Sequence, residues 1–329
     1  MKYLKQKLIK GKLYYYFEYP LVSASKKRTY TRYLGADFPS DLVGLFSTYF
    51  KEIAAIVAND VDVGKNFLPG SASVIELARF RYVLLNHELF QRELELFKTL
   101  FYILFVLNSN RAEGSKVTRP DIEEVMNKRV KPKTVIEKEV VNSMDAINFS
   151  FSNGMKWNEK SIRVIHKYLF DNIHPEIAGK YKKVNNVVGN SLTTPWTEVG
   201  QEMKRLLLWF NKNRKKTYPP QLALEFYWRF EAIHPFEDGN GRVGRILLNA
   251  ILISRGYAPV IFFSENHSAH CNAIEKARQG RSAQLAKHFI DSVKKTASAI
   301  DKYKAEGIIT GGSRMIGRWE LQKGKIRLG

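Results

Sequence analysis

His234-Pro-Phe-Glu-Asp-Gly-Asn-Gly-Arg-Val-Gly-Arg245, HPFEDGNGRVGR, places a histidine, two acids, three glycines and two arginines in twelve residues. Within it, GNGRVG (239–244) has the G-x-G-x-x-G form of a dinucleotide fingerprint, and Glu265 falls about where a ribose-binding acid would stand. That fingerprint needs a buried strand before its first glycine. Here the preceding WRFEAIHPFED is charged and ends a helical pattern, and no alternation of strands and helices surrounds it. A Walker A loop is excluded because no Lys-Ser/Thr follows the glycines.

The residues make better sense on their own chemistry. Pro235 disfavours a helical His234 and stops the preceding helix there, which leaves the imidazole on a bend with a near-neutral pKa suited to a general base. Phe236 is the apolar anchor of the loop. Asp238 offers oxygen to a hard cation such as Mg²⁺. Gly239, Asn240 and Gly241 expose backbone N–H groups at a helix start, where unpaired donors and the dipole favour an anion. Arg242 and Arg245 are cations at the wrong end of that dipole, so they call for an anionic partner. The loop reads as a site for Mg²⁺ and a polyphosphate with a base beside it.

Outward from the loop, the pattern is mostly helical. LALEFYWRFEAI precedes it, and the apolar ILLNAILISRG that follows is expected to be a central helix. VIEKEVVNSMDAINF sets Ile136, Val140, Met144 and Ile147 on one face, and Asn158 is positioned to cap SIRVIHKYLFDNI with Ile162, Ile165 and Leu169 inward. Between the helices, AGKYKKVNNVVGNSLTTPW has Gly, Pro and β-branched residues without a helical period, and predicts a loop or small hairpin. Ser71 to Leu107 predicts one or two long helices, and Pro120 opens another. LYYYFEYPL and KRTYTRYLG, near the N-terminus, are aromatic and partly alternating and predict a basic β-hairpin. Four segments follow: the hairpin (1–35), a helical region (36–125), a helical core with the site (126–298) and a Gly-rich basic tail of unassigned role (299–329).

HPFEDGNGRVGR resembles, position for position, the HPFx[D/E]GNGRxxR signature of Fic (Fido) domains, and the resemblance runs from about residue 100 to about residue 295. It implies a mainly α Fic-fold helical bundle with a small β-hairpin flap, to which this chain adds the N-terminal hairpin. It implies a nucleotidyltransferase, a protein adenylyltransferase that moves AMP from ATP to a Tyr, Ser or Thr hydroxyl of a target protein or of itself. His234 would take the hydroxyl proton, Asp238 would hold Mg²⁺, Gly239, Asn240 and Gly241 would cradle phosphate, and Arg242 and Arg245 would hold the β- and γ-phosphates. The flap (Lys183, Val184, Val187, Val188 and Gly189) would dock the target by main-chain pairing. SNRAEG (109–114) fits the [S/T]xxxE[G/N] pattern of an N-terminal inhibitory helix, with Ser109, Glu113 and Gly114 at its fixed positions; Glu113 would take Arg245 from the nucleotide. Transfer of other phosphate-containing groups, or removal of AMP, stays open. His270 and Cys271 stand where the family often has a Tyr pair, which leaves adenine stacking open too.

The bulk properties set limits. The 329 residues carry 53 Lys+Arg against 32 Asp+Glu, a formal +21, which favours an anionic partner. Nucleic acid is such a partner, gripped by the aromatic-basic N-terminus; an amphipathic hairpin packed on the helical body is the preferred reading of that segment. One cysteine, the lack of an apolar leader in MKYLKQKLIKGKLYYYF and the lysine interrupting LFKTLFYILFVL point to a cytoplasmic chain with no membrane partner. Self-association is common in the family, and no residue here marks it.

Overall fold

The computed structural model describes residues 2–22, 27–64, 66–68, 70–127, 131–152, 154–188 and 191–305. Gly189 of the expected flap, and the tail beyond residue 305, lie outside these. The chain divides into two compact units, residues 1–63 with 69–95 and residues 64–68 with 96–329.

In the first unit the expected hairpin is instead a three-stranded antiparallel meander, β1 (Leu4–Ile9), β2 (Lys12–Val22) and β3 (Lys27–Gly35). The extra strand comes from LKQKLI. Lys10 and Gly11, at φ of 50° and 77°, make a two-residue turn that matches the strand twist, and Ile9 pairs with Lys12 across it. One face of the sheet buries Phe17, Tyr19 and Tyr30 against Phe46, Phe50 and Ile53 of α1 (Leu42–Asp60) and Phe80 of α2 (Ser71–Leu85). Asp41 caps α1 by accepting from the Gly44 N–H at 2.8 Å. Among the described helices α1 alone has the length and hydropathy of a membrane span, and its Phe46, Phe50 and Ile53 lie in this core.

The second unit is helical: α3 (Gln91–Arg111, from Leu96), α4 (Arg119–Asn127), α5 (Val135–Phe151), α6 (Glu159–Phe170), α7 (Val199–Asn213), α8 (Pro219–Ile233), α9 (Asn240–Ser254), α10 (His267–Arg278) and α11 (Ala283–Ala305). A hairpin of β4 (Val187–Val188) and β5 (Ser191–Leu192) sits between α6 and α7. Caps set the entry points. Asn158 accepts from Ser161 N at 2.9 Å, and Thr134 with Glu137 forms a capping box on α5. The expected face of α5 buries Val140 and Ile147 fully, with Ile136 and Met144 half-buried. α9 is the central helix, packed against α8 and α5, and Val243, Leu247 and Leu248 on it have no exposed surface. PVIFFSE after it forms no strand, and no described strands pair in parallel, which removes the dinucleotide-fold alternative.

Candidate active site

The loop between α8 and α9 is fixed from inside. Phe236 is fully buried, and its ring stacks on that of His166 from α6 at 3.9 Å and 10°. The side chain of Asn240 closes the loop on itself. Its Oδ1 accepts from Phe236 N and its Nδ2 donates to Phe236 O, both at 2.9 Å. The amide expected on phosphate is therefore spent on the backbone, and any anion contact from Asn240 falls to its main chain. His166 ties the far side. It accepts from Gly179 N on Nδ1 (2.9 Å), which makes Nε2 the donor to Asp238 O (3.0 Å). Burial holds its pKa down at about 4, so the ring stays neutral and keeps both bonds.

His234 ends α8 in the left-handed region, at φ 50° and ψ 63°, rather than in the extended conformation that Pro235 favours. Its N–H still bonds Phe230 O at 2.9 Å, so the residue serves as the helix C-cap and turns the imidazole off the helix. Nδ1 faces back onto Glu231, with its Oε2 3.8 Å away, which leaves Nε2 as the nitrogen open to a reactant. Burial, with the charge of Lys182 added, lowers the His234 pKa to about 4, so at neutral pH the ring is a free base.

α9 begins at Gly239 (φ 76°) with no side-chain cap on its first turn, while Asp238 Oδ1 accepts from Gly239 N at 2.5 Å. A β-carbon on Gly239 would strike the Phe170 ring, and one on Gly241 would strike the Glu113 carboxylate. Asp238, the candidate metal ligand, is half-exposed at the mouth and accepts from Arg242 at 3.2 Å. Arg242 lies over the Phe170 ring at 4.7 Å. Arg245 is 3% exposed and is already occupied. Its Nε donates to Ser109 Oγ (3.0 Å), and its Nη2 donates to Ser109 O (2.8 Å) and to Glu113 Oε1 (2.7 Å).

Two of the three fixed positions of SNRAEG, Ser109 and Glu113, thus meet the loop at Arg245. Gly114, at φ 87°, closes α3 with Gly114 N on Arg111 O and Ser115 N on Asn110 O, the paired bonds of a Schellman cap. Glu113 then sits at the negative end of a helix dipole, where a carboxylate is disfavoured. Burial pushes its pKa up, but the Arg245 guanidinium outweighs this and holds it below its ordinary value. Asn108, which accepts from Ser264 N, and Asn110, bonded to Ser143, pin the end of α3 in place.

The flap hangs on the loop through its base. Lys182 N donates to Pro235 O (2.9 Å) and Asn186 Nδ2 to Phe236 O (3.2 Å). The ammonium of Lys182 is buried on Asn186 Oδ1 (2.7 Å) and Thr193 Oγ1 (2.6 Å), and burial lowers its pKa to about 8. Lys183, Val184 and Val187 point to solvent, Val188 is half-buried, and Val187 and Leu192 are 58% and 77% exposed.

Sequence reasoning missed four residues here: His166, Lys182, Asn186 and Glu231. Glu231 is 8% exposed, with Oε1 unpartnered and Oε2 3.8 Å from His234 Nδ1. Burial, helped by Glu113 and opposed by Arg245, raises its pKa to about 8, so it is neutral at pH 7. A signal was present. Glu231 is four residues from Tyr227, and His166 lies one and four residues after Ile165 and Ile162, so both polar groups sit on apolar helix faces. Lys182 and Asn186 had no such signal. His270 is 3% exposed, bonded to the Tyr227 hydroxyl at 2.8 Å and packed on Phe262, so it is a core residue with no ring face for a base. Cys271 is half-buried beside His267.

Residues 156–252 match the Fic/DOC family. It is 26% identical over 202 residues to the protein adenylyltransferase Fic of Drosophila grimshawi, which covers 59% of this chain and 42% of that protein. The chain thus spans about two fifths of the length of the curated relatives it matches. Its fold is that of a Fic-domain signalling protein from Bacteroides thetaiotaomicron (TM-score 0.60, 20% identity, 73% of this chain and 100% of that one). Fic-1 of C. elegans shares it as well (TM-score 0.54, 17% identity, 80% and 98%).

Proposed function

We propose that the chain transfers AMP from ATP to a hydroxyl of a target protein or of itself, and that Glu113 holds this activity down. The observation that carries the proposal is the pairing of an unprotonated His234 with an uncapped helix start whose Arg245 is held by Glu113. Adenylyl transfer needs little covalent chemistry from the protein. It needs a positioned nucleophile, a base and fixed charge around the phosphates. The hydroxyl oxygen bonds the α-phosphorus, the bond to the bridging oxygen breaks, pyrophosphate leaves, and the hydroxyl proton passes to His234 Nε2. The N–H groups of α9 and Arg242 face the phosphates. Arg245 joins them once Glu113 withdraws.

Mg²⁺ fits the site on one protein ligand. The described residues contain no cluster of three or more ligating side chains, so Asp238 would hold the ion and phosphate oxygens and water would complete its shell. The ion would neutralise phosphate charge.

α-Labelled ATP given to wild type, Glu113→Gly and Glu113→Gly/His234→Ala tests both parts. The expected result is weak labelling of protein by wild type, strong labelling by Glu113→Gly and none by the double variant. Equal labelling by wild type and Glu113→Gly removes self-inhibition, and labelling that survives loss of His234 removes the mechanism. Label retained from γ-labelled ATP instead would identify transfer of a different phosphate group.

A further inference from the structure

The N-terminal sheet has a second face that the core does not use. Alternation puts Phe17 and Tyr19 inward and sets Tyr14 and Tyr16 on the opposite side of β2. Tyr16 pairs with Tyr33 of β3 and with Lys5 of β1, and Tyr14 pairs with Lys7. The rings gather. Tyr33 lies 5.4 Å from Tyr16 and 6.1 Å from Tyr14, and Lys7 Nζ sits 4.5 Å over the Tyr16 ring. Tyr33 is 57% exposed, and Tyr14 and Tyr16 are half-buried. Charge is concentrated in the same segment. Residues 1–35 contain nine Lys and Arg and a single acid, Glu18, which pairs with Lys7 at 2.7 Å.

From this face we infer that the sheet binds single-stranded nucleic acid, independently of the transfer reaction. Three adjacent aromatic rings on one face of the sheet offer stacking surface for unpaired bases, and the surrounding lysines offer phosphate contacts. The charges of the two surfaces are complementary. An acidic polypeptide would use the lysines and leave the rings idle. A duplex keeps its bases stacked on each other and would leave them idle too. Core formation does not account for the rings either, since the sheet already buries its other face on α1 and α2.

Fluorescence anisotropy of the full chain with a labelled mixed-sequence single-stranded oligonucleotide, titrated across salt concentrations, tests the inference. The oligonucleotide is expected to bind with an affinity that falls as salt rises. Tyr14→Thr/Tyr33→Thr keeps strand propensity and removes two rings. It should weaken binding at least about tenfold at fixed salt while leaving the salt slope unchanged. Lys5→Ala/Lys12→Ala should flatten the slope. Tyr14→Phe/Tyr33→Phe keeps the rings and should bind as wild type does, which separates stacking from loss of fold. No binding at low salt, binding unaffected by the Tyr→Thr pair, equal affinity for the matching duplex, or equal competition by poly-glutamate would each overturn the inference.

Discussion

The loop between α8 and α9 and the flap lie side by side and are built in opposite ways. In the loop the backbone is held from inside. Asn240 holds the Phe236 backbone at both ends, His166 holds Asp238 O, and Phe236 fills a ring-lined slot. The flap is attached at its root through Lys182 and Asn186 and near its tip by one exposed bond from Arg278 to Leu192 O (2.7 Å), and it carries the Val187 and Leu192 side chains in solvent. Chemistry on a phosphate needs groups held to a fraction of an ångström, whereas main-chain docking of a target needs a reachable strand edge and little else. The contrast predicts that substitutions in the loop act on turnover and stability, while those at the flap tip act weakly.

The largest effect should come from His234. In the Glu113→Gly background, His234→Ala should lower the rate of AMP incorporation by about 10²–10⁴-fold, the usual contribution of a positioned base. The melting temperature should stay close to that of the parent, because the polar contact Nδ1 makes to the Glu231 carboxyl is a long one, 3.8 Å. A drop in rate matched by a collapse in stability would mean that His234 is a structural cap first and a base second.

Next in size is Asn240. Asn240→Ala leaves a buried N–H and a buried C=O of Phe236 without the side-chain amide and should cost about 2–4 kcal/mol in chemical denaturation. The matching change at the flap is Asn185→Ala, which loses one exposed bond from Trp196 N. It should cost less than about 1 kcal/mol. Similar losses at the two positions would erase the distinction between an over-determined loop and a loosely hung flap.

These residues also show what the sequence could reveal. The motif was legible because its chemistry is local: a histidine before proline, glycines at a helix start and arginines one turn on are all within twelve residues. Asn158 was legible as well, because capping is a short-range pattern. The third strand was missed although its turn, Lys10-Gly11, is a sequence signal; the Leu and Ile of LKQKLI are separated by lysines and glutamine and carry few of the aromatic and β-branched residues that mark a strand. Lys182 and Asn186 were out of reach for another reason. Their partners, Thr193 and the backbone of Pro235 and Phe236, become neighbours only after the helices have packed.

Glu231 gives a third comparison, through pH. Its folded pKa of about 8 lies above the ordinary 4.5, so between those values the folded chain keeps a proton that the unfolded chain releases. Stability from this residue is therefore complete below about pH 4.5 and is lost as pH rises through about 8. Glu231→Gln removes the titration. The melting temperature of wild type minus that of Glu231→Gln should fall steadily between pH 5 and pH 8.5, with each unit of pKa separation worth about 1.4 kcal/mol. Lys182, bonded to Asn186 and Thr193 and not to Glu231, titrates in both proteins and cancels in the difference. A flat difference would mean that Glu231 is ionised in the fold, and Arg245 would then be the group that holds it so.

The smallest effect is expected at the flap tip. Val187→Thr and Leu192→Thr keep β-propensity and change only side chains that face solvent. If a target pairs with the flap through its main chain, neither side chain carries the contact, and each variant should change the rate of AMP incorporation by less than about threefold. A larger loss confined to KM would show that Val187 or Leu192 reads a side chain of the target, and the flap would then be a specificity element. A larger loss in kcat would tie the tip to the placement of the attacking hydroxyl. In that case the separation between a loop that performs the chemistry and a flap that only presents the target would fail at its weakest point.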